Sequence, residues 1–484
     1  MGQAEERGVA LARPDRDINH VIAYGQSLSN GYEGWPALSQ EQPCDSLMLG
    51  EAVRPLRDDS VEWRPVGAAA FRPLRAVVQD YGSGAPLDAA AVAALPPGSI
   101  SMGETVLEGA VNFWRRRQIE GGALPGRQRL LASSCGVGGR TLEALSKGAS
   151  PELFRRLRDC VRLARATAAA EGASYGIAAV LFLQGESNSW GLDGGTADRA
   201  AYKALLHMFR RDALADLATG IAGQAAAPAM FLYQTGGTYA SESLSIAQAQ
   251  LDFTLETQDC FLVAPHYAVT GKGGHLDANG YRWLGQQFGK VMHRVLTLGE
   301  DWRPLHPLRA EMKGQEVRVT FHVPVPPLSW GRPICGYGFA DPQAGGFSVL
   351  DEAGSVPVTK VALDGPDRVR IVLGRETAGA VTLRYADQAH GGRGALHDSD
   401  ATVAPDRYVF DPATGHYPEA DIPELAGRPY PLMNWCVAFA IPVMPPALPP
   451  RPALPAWNVL MQEAPPPAPA PRRAGWLARL LGRR

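Results

Sequence analysis

Ser27, Gly139, Gln184 and His275 lie far apart in the chain but are of complementary chemical type. Ser27 follows the apolar run Val21-Ile22-Ala23-Tyr24 and the pair Gly25-Gln26, so it stands where a buried strand would end. A plain strand-to-loop exit is one reading; a nucleophile held at a strand edge is the other. A serine hydroxyl attacks poorly until a base lies within hydrogen-bond reach and donors await the developing oxyanion. His275 sits in the glycine-rich stretch GKGGHLDANG, just before a helical pattern. Gly138 and Gly139, in SSCGVGGRTLEAL, open another helical pattern, and backbone N–H groups at a helix start can serve an oxyanion. Gln184, Gly185 and Glu186 follow GIAAVLFL, the most continuously apolar run. A strand-edge serine, two glycines, an amide and a loop histidine form a set suited to acyl transfer.

These residues need elements to hold them. Apolar runs at 20–25, 129–136, 176–185 and 229–235 read as strands, and the stretches 103–117, 151–171, 197–219 and 280–296 as helices. Strands alternating with helices imply a mostly parallel sheet covered on both faces, with ligands outside the carboxyl ends of the strands. After Pro304 short alternating runs such as QEVRVTFHV and DRVRIVLG, broken by Gly, Pro and Asp, predict an antiparallel β-sandwich. The expected organisation is a catalytic region over 18–302, a sandwich over 303–442, a Pro/Ala-rich linker over 443–471 and a cationic amphipathic tail over 472–484.

Composition narrows the function classes. At 484 residues the chain is long enough for two domains, and its formal net charge of −2 gives no basic excess for tracking phosphates, so no nucleic-acid partner is expected. The six cysteines, among them Cys335, form no C-x-x-C pair and read as reduced thiols. The first residues carry no apolar leader, which makes a cytoplasmic setting the default expectation. In the tail, Trp476, Leu477, Leu480 and Leu481 gather on one helical face beside arginines, so residues 472–484 are a candidate for weak membrane or partner docking.

Gly25-Gln26-Ser27, the Gly-Gly-Arg-Thr run, Gln184-Gly185-Glu186-Ser187 and the His275-to-Tyr281 run follow the order of the four blocks of SGNH hydrolases. The sequence most resembles the sialate O-acetylesterase and acetylxylan esterase branch, over roughly residues 18–300. The resemblance implies a flavodoxin-like three-layer α/β fold, hydrolysis of acetyl esters on carbohydrates, and neither metal nor organic cofactor. Carried over, Ser27 is the nucleophile and His275 the general base, with the Ser27 N–H, Gly139 and Gln184 forming the oxyanion hole. Gln184 suits that hole better than Glu186, because an amide donates where a carboxylate repels. One departure stands out: the aspartate that the family places three residues before its histidine is here Lys272. Asp277 or Glu186 is then the expected orienting acid; otherwise a backbone carbonyl leaves a Ser-His dyad. Gln26, Gly138 and Gln234 are expected to line the substrate site, with Tyr32 and Trp35 as candidates for stacking on a sugar. Two further expectations compete: a weak or inactive carbohydrate-binding or structural protein of the adhesin or phage-tail kind, and an esterase for non-sugar esters.

Overall fold

Apolar residues at every strand position, rather than every second one, demand cover on both faces. Runs of this kind build the sheet that carries the first part of the chain. The computed structural model describes residues 10–272, 274–331, 344–410 and 422–445; Cys335, nearly all of 443–471 and the whole of 472–484 lie outside these. β1 (Ile18–Gly25) leads into α1 (Ser27–Asn30), followed by β2 (Leu47–Leu49), β3 (Phe71–Pro73), α2 (Ala89–Ala93) and α3 (Val106–Glu120). Next come β4 (Arg129–Ser134), α4 (Leu142–Leu145), α5 (Arg155–Ala170), β5 (Tyr175–Leu183), α6 (Glu186–Ser189) and α7 (Arg199–Ala213). β6 (Ala229–Gln234), α8 (Ser245–Glu256), β7 (Cys260–Pro265) and α9 (Ala278–Met292) complete this part.

The seven strands lie in the order β3-β2-β4-β1-β5-β6-β7. Every neighbouring pair is parallel except β2 with β3. The order turns back on itself at β1, which has β4 on one side and β5 on the other. Its carboxyl end is therefore a switch point, where sheets of this type open a crevice. Val21 and Ala23 of β1 enter one core with Trp114 of α3 and Trp283 of α9. Ile22 and Tyr24 enter a second core with Leu157 of α5 and Phe209 of α7. At the strand's end, a Cβ on Gly25 would stand 1.9 Å from the Leu183 carbonyl oxygen, so only glycine lets β1 and β5 approach so closely before the chain turns.

The C-terminal region is rich in antiparallel sheet. Eight of its strands form one sheet, in the order Gly354–Val356, Phe347–Asp351, Val381–Tyr385, Phe439–Met444, His306–Lys313, Glu316–His322, Arg368–Leu373, Val358–Leu363. Neighbours are antiparallel except that Phe439–Met444 runs parallel to His306–Lys313. Between strands the chain returns to the first sheet. Tyr430 and Leu432 join the core of α3 and α9. Buried Lys290 of α9 donates to Asp400 (2.9 Å) and Asn434 (2.7 Å), and the Trp283 indole donates to the Pro431 carbonyl (2.8 Å). Residues as far as Pro445 accordingly form one compact unit. No helix among the described residues is long and apolar enough to cross a membrane.

Candidate active site

Ser27 is the first residue of α1, immediately past the β1 switch point, and is 6% exposed. His275 Nε2 lies 2.8 Å from Ser27 Oγ. The histidine loop is closed by a 2.6 Å bond from the Lys272 N–H to the His275 carbonyl, and α9 begins just beyond it. That contact joins residues 248 positions apart in the chain. It has the geometry that lets a base take a serine proton.

Behind the ring stands a carboxylate that sequence reasoning missed. Glu33 Oε1 is 3.6 Å from His275 Nδ1, with both side chains largely buried. Glu33 adopts φ +61, in the left-handed region that non-glycine residues rarely occupy. Its neighbours hold that conformation. The Glu33 N–H donates to the Ser101 carbonyl (3.0 Å), Gly103 N–H to Gly31 (2.8 Å) and Glu104 N–H to Gly34 (2.7 Å), and the Tyr281 hydroxyl donates to the Tyr32 carbonyl (2.9 Å). Buried Glu104 also accepts from the Leu38 and Ser39 N–H groups at 2.8 and 2.9 Å, so it anchors the loop beyond the turn. Lys272, which stands where the resemblance expects an aspartate, completes the clamp. Its ammonium donates to the Trp35 carbonyl (3.1 Å) and lies 4.7 Å over the Trp35 ring. Two signals in the sequence point this way in hindsight: a lone acid between Gly31 and Gly34, and a lysine in place of the usual aspartate.

The two acids expected to orient the histidine are engaged elsewhere. Asp277 caps α9, accepting from the Gly280 N–H (2.6 Å) and the Thr270 hydroxyl (2.7 Å). Glu186 accepts a hydrogen bond from the Tyr233 hydroxyl, and burial pushes its carboxyl above the ordinary value. His275 is among the charges that act on Glu186, so it belongs to the surroundings of the site. His266 lies there too: burial, then repulsion from His275, push its imidazole down to about 4, so it stays neutral at ordinary pH.

The amides expected to meet substrate or oxyanion instead tie the loops together. Gln184 is fully buried; its amide donates to Asn188 Oδ1 (2.7 Å) and the Arg140 carbonyl (3.3 Å), and its oxygen accepts from the Tyr202 hydroxyl (2.6 Å). Both of its N–H groups thus hold the Gly139 loop and α6 against β5. Gln26 Oε1 accepts from the Ser187 N–H (3.2 Å), which fastens the serine turn to α6. Gln234 exchanges hydrogen bonds with Ala438 (2.9 and 2.7 Å) and so joins β6 to the C-terminal region. These bonds give the buried amides the partners that buried polar groups require. Gly139, by contrast, is exposed at φ +67, directly after Gly138. A Cβ on Gly138 would lie 2.4 Å from the Tyr32 hydroxyl oxygen, and the Tyr32 ring centroid is 5.6 Å from that of His275. Tyr32 and Trp35 are themselves buried, the first bonded to Asp58 and the second to the Ser99 carbonyl (2.8 Å), so neither is a free stacking surface.

No family model and no curated protein matches the chain. Among solved structures it is similar to a carbohydrate acetylesterase from Xanthomonas citri, with 14% identity, a TM-score of 0.49, and coverage of 78% of this chain and 77% of the other. It is also similar to NanS, with 14% identity, a TM-score of 0.37, and coverage of 60% and 100%. A third is the aryl esterase of M. smegmatis, with 11% identity, a TM-score of 0.30, and coverage of 57% and 99%.

Proposed function

We propose that this chain is a serine esterase that removes acetyl groups from O-acetylated carbohydrates through an acyl-enzyme. The observation that carries the reading is the 2.8 Å contact of Ser27 Oγ with His275 Nε2 at the sheet's switch point, backed by Glu33. With Nδ1–H directed toward Glu33, Nε2 is left to accept the Ser27 proton as Oγ attacks the acetyl carbonyl. The tetrahedral oxyanion is met by the backbone N–H groups of Ser27 and Gly139. Collapse expels the sugar oxygen, which takes the proton from His275, and leaves acetyl-Ser27. Water, giving a proton to His275, then attacks the acetyl carbon; collapse breaks the bond to Ser27 Oγ, which takes that proton back from His275, and acetate leaves. Glu33 steadies the imidazolium formed in both steps, the role that an aspartate fills in a triad. We read the first region as a flavodoxin-like three-layer arrangement, because alternate residues of β1 feed two separate cores. The C-terminal strands we read as a β-sandwich, and the boundary between the two regions as near residue 302.

Turnover of p-nitrophenyl acetate by the purified protein and by Ser27→Ala tests the chemistry: the wild type is expected to be active and the variant at background. Equal inactivity of the two across a range of conditions would favour a binding protein on this fold. Release of acetate from acetylated xylan and sialic acid, set against cleavage of long acyl esters, tests the substrate class. Preference for long chains sinks the carbohydrate reading.

A further inference from the structure

Tyr32 and Trp35 are covered, yet another aromatic pair, exposed Trp190 and half-buried Tyr239, adjoins the histidine loop. Trp190 is 53% exposed and follows directly on α6, where its N–H donates to the Glu186 carbonyl (3.2 Å). Its ring lies 4.6 Å from that of Tyr239, centroid to centroid, with the planes at 47°. Tyr239 ends a short 3-10 turn and is seated on the histidine loop: a Cβ on Gly274 would stand 2.5 Å from its hydroxyl oxygen. Burial, and then the charges of Glu186 and Glu33, push its phenol up to about 12, which places Tyr239 within the field of both site carboxylates. Three residues beyond Trp190, the exposed side chain of Asp193 lies 3.9 Å from that of Arg140, which adjoins Gly139 in the chain. The paired rings thus adjoin the His275 loop through Tyr239, and the segment that follows Trp190 reaches the residue after Gly139 through Asp193 and Arg140.

We propose that Trp190 and Tyr239 form a platform for a pyranose ring of the acetylated carbohydrate, an inference that rests on the esterase reading above. A pyranose presents C–H groups on its faces and hydroxyls around its edge. Aromatic rings meet the first and a polar rim the second. A long acyl chain would need no such rim. A single exposed aromatic is ordinary; what distinguishes Trp190 is its contact with a tyrosine seated against the base's own loop.

The test compares peracetylated methyl β-xylopyranoside with ethyl acetate, which has no ring. In Trp190→Ala the ratio of kcat/KM on the pyranoside to that on ethyl acetate is expected to fall about tenfold, chiefly through KM, and Trp190→Phe to recover most of it. An unchanged ratio overturns the platform, as does a loss confined to p-nitrophenyl octanoate. If the wild type hydrolyses none of these esters, the esterase reading fails, and the platform is judged separately by tryptophan fluorescence. Titration with xylo-oligosaccharides should then give a saturable quench in the wild type that Trp190→Ala lacks. No saturable quench in the wild type overturns it.

Discussion

Replacing Glu33 with Gln keeps the side chain's size and the turn's backbone while removing one charge, so it isolates what the carboxylate does for His275. The relevant distance is 3.6 Å, between side chains that are 15% and 20% exposed. Two unit charges at that separation, with an effective dielectric of about 20, attract by roughly 4–5 kcal/mol. That attraction exists only when the ring is protonated, as it becomes in the transition states of acylation and deacylation. Since ~1.4 kcal/mol corresponds to a factor of ten in rate, the full term would be worth about 10³ in kcat. Glu33→Gln should therefore lower kcat on p-nitrophenyl acetate by about 10²–10³, with KM within about twofold, because the attraction to His275 arises only once the ring is protonated. Glu33→Asp, one methylene shorter, should fall between the two. The assay is steady-state hydrolysis against a Ser27→Ala baseline, with circular dichroism to show that the fold is intact. A Glu33→Gln protein within about threefold of wild type would refute the reasoning and redirect the search for an orienting acid to Glu186.

Lys272→Met removes the bond to the Trp35 carbonyl and the cation over its ring, so kcat should fall about tenfold; combined with Glu33→Gln it should add little, because both act through one turn. His266, held down to about 4 by burial, refuses a proton that the unfolded chain takes up near 6.5, so its contribution to stability falls as pH drops through that window. Urea unfolding of His266→Gln should accordingly lose about 2 kcal/mol less than wild type between pH 7 and pH 5. A fragment ending at residue 302 should be insoluble or unfolded by circular dichroism. It strips Lys290, Trp283 and Gln234 of their partners, each at a cost of about 1–3 kcal/mol, and a fragment that melts cooperatively like the whole chain would contradict this.

Pattern alone reveals β1, β4, β5 and β6, because their apolar runs have no polar face to confuse with a helix, and α3, α5, α7 and α9 because theirs do. β7 and α8 escape it. The buried amides of α8 satisfy backbone groups, Gln250 through the Thr235 N–H (2.9 Å) and Gln248 through the Ala440 N–H (2.9 Å), so the helix lacks an apolar stripe. β2 and β3, at three residues each, are too short to show a period. In the site, Ser27 and His275 are legible as a pair by residue type and order. Glu33 is not, because its place is set by a left-handed turn and by Lys272, contacts that no spacing rule encodes. For Gln184, Gln26 and Gln234 residue type alone leaves the role open. An amide's chemistry is the same whether it faces a substrate or a neighbouring carbonyl, and only the fold decides.

The hydrogen bonds between Gln234 and Ala438 span 204 residues, and this has a consequence for how the protein is made. A ribosome adding about 5–20 residues per second needs about 10–40 s to travel from one to the other. Throughout that interval β6 is already synthesised, yet its end lacks the chain that covers it, and the face of α9 that receives Tyr430 and Leu432 is bare. Contacts so distant in sequence also form slowly, since a long loop must close before they stabilise anything. A nascent chain of this protein is thus exposed to aggregation through about two fifths of its synthesis, from Gln234 near its midpoint to Ala438, and its growth rate and temperature bear on yield as much as its final stability does.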